Sequence, residues 1–512
     1  MSIRVTQSSM YNTMVGQMQK SLSAYMESNE QGSTQKKINR PSDDPAGMYR
    51  VLMTRDDISA TKQYQSNCDT AKGWLELTDN VLGTQLSNAI ISLKSRMEQA
   101  ATGTTADQRK LIAQEAREIF GQILNLSNTQ FNGKSIFAGQ RYDLNAYEQS
   151  LALTCWDDTW NNEISQGHYS IDGASNTSMM IQFTDDGTLG TDTLTYRWSK
   201  DGGDTWTTST VPAGSRTLVA DGVTITMDQD MAVSAADTSL GPGAKNGTLV
   251  YIRPTAVYQG DDNDPPPEMT VMGGPAGLKT SANGAFGNNV LVRMDNTVDL
   301  NSTGTAFNYS YSLDNGGTWV TASGQTTGGG TVRLPVPGGY MDMDATATNP
   351  PTSVIDAGTQ VLIHPSRANL NLEIMQGTYI SVNNVGKDIF GGYYQGQPSL
   401  EGGQNLFDVV GEFIAYCENN NQEGCQKSLA AIEQAHAHIL AYEARIGGLE
   451  NRVSMAQDVL SFQKLDQEER LSYTEDIDLT ELLAKLTRQQ LTYQTVLQSS
   501  SMIMQMSLAK YI

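Results

Sequence analysis

The two ends of the chain carry almost no charge, and this constrains their fold more than any other feature. Positions 489–509 hold 21 consecutive residues without Asp, Glu, Lys or Arg. Leu479, Leu482, Leu486, Tyr493, Val496, Ser500, Ile503 and Tyr511 recur there at steps of three, four, seven and eight, which sets an apolar stripe on one side of a helix. Asp478, three residues before Glu481, gives that helix a capping-box start. A helix with its other side in water would carry Lys and Glu on it; here Gln, Ser, Thr and Met stand instead. Gln489, Gln490, Gln494, Gln498 and Gln505 exclude a membrane span. The stretch 5–19 is also uncharged, and Tyr11, Met14, Met18, Leu22 and Tyr25 again step by three and four.

Helices this weakly apolar are marginal in isolation. One reading docks the last helix on its own domain. The other, suggested by the shared composition of both ends, pairs the ends with each other and with copies in neighbouring subunits. The expected assembly interface is Tyr11, Met14, Met18, Leu22, Leu486, Tyr493, Leu497, Ile503 and Leu508.

A chain of 512 residues has room for three or four domains. The net charge of −22 offers no basic patch to neutralise phosphates, which argues against nucleic acid as a partner. No apolar run is long enough for membrane insertion. Gln7, Ser8, Ser9 and Asn12 deny the N-terminus the apolar core of a signal peptide, so any export would leave it intact. Cys68, Cys155, Cys417 and Cys425 are too few for a disulfide framework. Cys417 and Cys425 flank a polar turn and are either bridged or two free thiols.

The chain reads helix, β, helix. After the first helix, KINRPSDDPAG at 37–47 breaks one helix and starts the next, with Asp43 and Asp44 read as caps rather than metal ligands. Leu75, Leu82, Leu86, Ile90, Leu93 and Met97 form one helical stripe. Ile112, Ala116, Ile119, Ile123 and Leu126 form the next, after a turn at 101–105. Residues 140–395 are rich in Gly, Thr, Asp and Asn with short alternating apolar runs, a β composition. Within them YRWSKDGGDTW at 196–206 recurs as YSYSLDNGGTW 113 residues later, and GTLVYIRP at 247–254 recurs as GTQVLIHP 111 residues later. Two matches in order at nearly one offset predict tandem duplicated units. Leu406, Val410, Phe413, Ile414 and Cys417 then fit one helix, and a stripe from Leu429 to Leu460 a longer one, with Gly447–Gly448 as a kink or close-packing point. The expected fold is α+β and multidomain. N- and C-terminal helices pair into a long bundle or coiled coil around an inserted β-rich region of two units. The boundaries fall at 1–40, 41–140, 141–277, 278–395, 396–470 and 471–512.

At this point the chain resembles the flagellin superfamily, most closely the hook-associated protein 3 family. The residues that carry the resemblance are KINRPSDDPAG at 37–47, Asn128-Thr129 with IFAG at 136–139, LFDVV at 406–410, ARIGGLENR at 444–452, and LQSSS from Leu497 with Leu508 and the final Tyr511-Ile512. It covers about residues 1–140 and 400–512; the middle is longer than that family's usual insertion. The resemblance implies a non-enzymatic structural subunit joining hook to filament, with self-association, hook-associated protein 1, flagellin and a flagellar export chaperone as partners. It also implies an extracellular location on the bacterial flagellum, reached by the flagellar type III route. Filament flagellin is the alternative, and a surface protein whose β units bind glycans is a further one.

The repeated SKDGGDTW and SLDNGGTW segments look like Asp-box hairpins, a pattern shared with sialidases. Asp201 and Asp314 would bond turn amides, glycine would supply positive φ, and Trp206 and Trp319 would pack beneath. A sialidase would need clustered arginines, whereas Arg197, Arg216, Arg253, Arg293, Arg333 and Arg367 are scattered. His436 and His438, two apart, point to different helix faces. The DDND run at 261–264 reads as a solvated acidic loop rather than a Ca²⁺ site. No phosphate loop or catalytic triad is visible. No catalytic residue, cofactor site or metal site is expected.

Overall fold

The computed structural model describes residues 7–237, 239, 245–264, 266–346 and 352–508. They fall into two compact units, one of residues 7–72, 373–379 and 451–508, the other of the described residues between 73 and 372 and of 380–450. Nine α-helices are described: α1 Gln7–Thr34, α2 Pro45–Asp79, α3 Ser87–Ala101, α4 Ala106–Ser127, α5 Asp158–Ser165, α6 Gly386–Phe390, α7 Leu406–Glu418, α8 Gln422–Glu475 and α9 Leu479–Leu508.

In the first unit α1 packs along α9, and the lower part of α2 along the end of α8. Thr61 donates to Gln467 Oε1 (3.0 Å) and Gln457 donates to Asp69 Oδ1 (2.7 Å). The α1–α2 connection is built by its two aspartates. Asp43 Oδ2 accepts from the Asn39 and Arg40 amides, and Asp44 Oδ1 accepts from the Ala46 and Gly47 amides (3.1 and 2.9 Å), so Asp44 caps α2. Gly47 packs closely there: a Cβ would lie 2.4 Å from the Asp44 carboxylate and 2.5 Å from the Ile38 methyl, so both side chains would have to shift.

In the second unit the stripe Leu75, Leu82, Leu86, Ile90, Leu93 and Met97 is buried, as are Ile112, Ala116 and Ile123 of α4. Between α2 and α3, residues Asn80–Leu86 form a π-helical segment that the periodicity does not announce. Gly83 sits within it, and a Cβ there would meet the Glu443 carboxylate at 2.4 Å. Phe120, Phe137, Tyr147, Phe390 and Phe407 form an aromatic core with ring centroids 4.8–6.3 Å apart. Gly447–Gly448 is not a close-packing point: α8 runs through both, and a Cβ on either would meet nothing within 4 Å.

A two-stranded hairpin, β1 Gln130–Phe131 and β2 Lys134–Ser135, leaves the helical part. Ten strands follow: β3 Tyr147–Cys155, β4 Tyr169–Asp172, β5 Met179–Phe183, β6 Gly187–Leu189, β7 Leu194–Ser199, β8 Thr207–Val211, β9 Thr217–Ala220, β10 Val223–Met227, β11 Met231–Val233 and β12 Leu249–Tyr258. Ten more are β13 Glu268–Met272, β14 Lys279–Gly284, β15 Val290–Met294, β16 Val298–Asp299, β17 Thr303–Ser312, β18 Val320–Thr327, β19 Thr331–Val336, β20 Gly339–Asp344, β21 Val354–Ile355 and β22 Gln360–His364. In the first set β12 pairs with β3 and β5, β5 with β7, β7 with β8, β10 with β4 and β9, and β11 with β6, all antiparallel. Adding ten to each number gives the pairings of the second set. Each set encloses its own core, Trp160, Phe183, Tyr196 and Ile252 in one and Phe307, Leu334, Met341 and Ile363 in the other.

The 261–264 loop corrects the expectation of a solvated acidic run. Asp261 and Asp262 are 2% and 7% exposed. Asp261 is held by Arg141 (3.0 Å) and His364 (3.1 Å), and Lys387 lies against Asp262 and Asp264. Arg141, Lys387 and the His364 ring, from separate elements, draw Asp261 and Asp262 inward while Asp264 stays exposed, and their sequence distance hid them.

Candidate functional site

The candidate site is the surface of the paired terminal helices. On α9 the residues turned toward α1 are Leu482, Leu486, Tyr493, Val496 and Ser500, and Leu482 is only 2% exposed. Gly32 of α1 faces Leu482 and Leu486 at ordinary contact distance. Asp478 Oδ1 accepts from the Thr480 and Glu481 amides and fixes the start of α9. Of the residues expected at the interface, Met14, Met18, Leu486 and Tyr493 are half-buried, while Tyr11, Leu22 and Leu497 are exposed. The side chains of Ile503 and Leu508, and all of Tyr511, lie outside the described residues.

The free faces of the unit carry more apolar surface than the stripe alone indicates. Leu479, Leu483, Leu491 and Met502 of α9 are exposed, with Tyr49, Leu52 and Met53 of α2. On α8, Met455, Val459, Phe462 and Leu465 step by four, three and three; Phe462 is 75% exposed and Tyr473 is 83% exposed. Their helical spacing is readable in the sequence beside that of the buried stripe through Val453, Ala456 and Leu460 on the same helix.

The two repeated hairpins form a separate feature. In each, a buried serine organises the turn. Ser199 Oγ donates to Asp201 Oδ1 (2.7 Å) and accepts from the Gly203 amide (2.9 Å); Ser312 Oγ donates to Asp314 Oδ1 (2.7 Å) and accepts from the Gly316 amide (2.8 Å). Asp201 and Asp314 each accept from a threonine amide four residues on, Thr205 and Thr318, at 2.8 Å. Burial pulls the Asp201 carboxyl upward, but these hydrogen bonds outweigh it and hold its pKa at about 2. The Thr318 amide and the Ser312 hydroxyl hold Asp314 at about 2 as well. Gly202 and Asn315 occupy the same place with positive φ. Trp206 and Trp319 are half-buried under guanidinium groups, Arg197 at 4.1 Å and Arg293 at 4.2 Å from the ring centroids. The arginines do not converge: Arg216, Arg253, Arg293 and Arg333 each pair with a different aspartate.

The terminal helices pair with a β-rich excursion between them, and residues 5–141 match the bacterial flagellin N-terminal helical region. The chain is similar to flagellar hook-associated protein 3 of Salmonella typhimurium, 29% identical over 150 residues that make up 29% of this chain and 47% of the relative. It is likewise similar to flagellar hook-associated protein 3 of Escherichia coli, 30% identical over 141 residues, 27% of this chain and 44% of the relative. Flagellin A of Helicobacter pylori is 26% identical over 163 residues, 30% of this chain and 32% of its own. The chain thus spans less than half the length of these curated relatives. Among solved structures, flagellar hook-associated protein 3 of Legionella pneumophila covers 83% of this chain and 98% of its own at 14% identity, with a TM-score of 0.29.

Proposed function

We propose that this protein is a structural adaptor subunit of the bacterial flagellum that joins hook to filament and assembles through its terminal helices. The observation that carries this reading is the set of exposed apolar side chains in the terminal unit, Phe462 and Tyr473 of α8 and Leu483, Leu491 and Met502 of α9 above all. Burying such surface between subunits contributes roughly 25 cal/mol per Å², against an ordering cost that falls on the subunit as it docks. The relatives named hook-associated protein 3 support the junction role over a catalytic one. Self-association, hook-associated protein 1 and flagellin are the partners this role calls for, with an export chaperone and type III export to an extracellular flagellar location.

The β region is outward-facing and arose by tandem duplication. Matching strand pairings and matching serine–aspartate turns support this, as does the repeated sequence.

Removing residues 499–512 tests the assembly role. The truncated subunit should fold and leave the cell, yet fail to join the structure, leaving hooks bare and flagellin in the medium. Normal filaments on such cells would defeat the proposal. Counting subunits separates adaptor from filament flagellin: a few at the filament base, or thousands along it.

A further inference from the structure

The turn between α7 and α8 brings two thiols together in a protein otherwise poor in cysteine. Cys417 Sγ and Cys425 Sγ lie 3.4 Å apart, both fully buried. The intervening turn is held from several sides. The Asn421 amide donates to the Tyr416 carbonyl (2.7 Å), the Cys425 amide to the Asn421 carbonyl (3.2 Å) and the Gly424 amide to Asn421 Oδ1 (3.1 Å). Asn420 takes positive φ, and its Oδ1 accepts from the buried Arg109 guanidinium (2.6 Å). Gly424 lies so close to the Tyr416 ring that a Cβ would approach it to 2.3 Å. By contrast, Cys68 directs its thiol at the Ile374 carbonyl, 3.6 Å away.

We propose that Cys417 and Cys425 are a disulfide-forming pair that covalently closes the α7–α8 turn when the chain folds in the presence of a disulfide oxidant such as oxidised glutathione. Burial raises the Cys417 thiol, while Cys425 is lowered by accepting the Cys417 hydrogen bond and by the nearby Arg109 and Lys245 charges. Either thiolate can open the exchange in the still-open turn; starting from Cys425, it attacks one sulfur of oxidised glutathione and expels a glutathione thiolate, leaving a mixed disulfide. The Cys417 thiolate then attacks the Cys425 sulfur, expels the second glutathione thiolate and forms the Cys417–Cys425 bond. The two cysteine protons end on the two departing glutathiones, so two thiols are oxidised and one disulfide is reduced. Because both sulfurs are buried in the folded chain, the exchange takes place before the turn closes, and the turn geometry then selects this pairing.

The test is refolding of the full chain with oxidised and reduced glutathione, quenching with N-ethylmaleimide, and mass analysis of tryptic fragments. Residues 388–427 contain no internal Lys or Arg before Lys427, so both cysteines fall on one fragment. The expected fragment carries no maleimide and is lighter by two hydrogen atoms than after reduction. In Cys425→Ser, Cys417 should take up maleimide or retain glutathione. Two maleimides on the wild-type fragment, a retained glutathione there, or a link to the fragments holding Cys68 or Cys155 would overturn the proposal.

Discussion

Arg55 and Glu475, 420 positions apart, form an ion pair in which the carboxylate is 3% exposed. Lys36 reaches the same carboxylate, and the Lys37 amide donates to the Glu475 carbonyl (2.6 Å). The connection after α1 and the connection after α8 are thus strapped side by side, which lets α1 and α9 meet. Glu475→Ala should lower the stability of the terminal unit by about 1–3 kcal/mol, as for loss of hydrogen bonds to a charged group. Arg55→Ala should cost less, because Lys36 remains. Chemical denaturation of the two variants checks the order; equal, negligible effects would mean the strap is solvated.

Gly32 of α1 faces α9 with room for one more methyl group. A Cβ there would lie 3.5 Å from Leu482 Cδ2 and 3.7 Å from Leu486 Cδ1, normal contact distances. Gly32→Ala should therefore fit and gain about 0.5–1 kcal/mol of helix stability. Gly32→Phe should force the helices apart and cost about 1–3 kcal/mol by overpacking. Thermal melts followed by circular dichroism would read both signs.

The hairpin serines should behave alike. Ser199→Ala and Ser312→Ala each strip a buried hydroxyl that satisfies a turn amide, at about 1–3 kcal/mol apiece. Since the two turns belong to separate cores, the double variant should show the sum of the single effects. A double-mutant cycle with strong coupling would contradict this. Asp201 and Asp314 have depressed pKa values, so what they contribute is present above the unfolded pKa of 3.8 and is lost as pH falls toward about 2.

His364 gives stability of the opposite pH sense. Its Nε2 faces Asp261 (3.1 Å) and its Nδ1 faces Asn289 Oδ1 (2.8 Å), so both nitrogens serve best as donors. The Asp261 hydrogen bond, opposed by burial and by Arg141, raises its pKa. A raised histidine stabilises fully below its unfolded pKa of 6.5, and this is lost as pH climbs through the folded value. Burial also raises Asp262 to about 6, so its protonated form is favoured between pH 3.8 and 6. His364→Gln should flatten the fall of the melting temperature above pH 6.5 relative to wild type. An unchanged pH profile would show that His364 does not titrate in that range.

Helical period, lack of charge and capping aspartates settled in the sequence that both ends are helices and that each has an apolar side, because these are properties of residues three and four apart. The β character of the middle and its repeated turns were equally local, carried by glycine, serine, aspartate and tryptophan at short spacing. Contacts across hundreds of positions were not readable. The Lys36–Glu475–Arg55 strap, the inward pull of Arg141, His364 and Lys387 on Asp261 and Asp262, and the π segment at Gly83 each depend on which side chains the folded backbone brings together. The same limit governs the terminal surface. A stripe in the sequence says that a helix has a greasy side, but only packing decides which greasy residues are covered within the chain and which, like Phe462 and Tyr473, remain exposed.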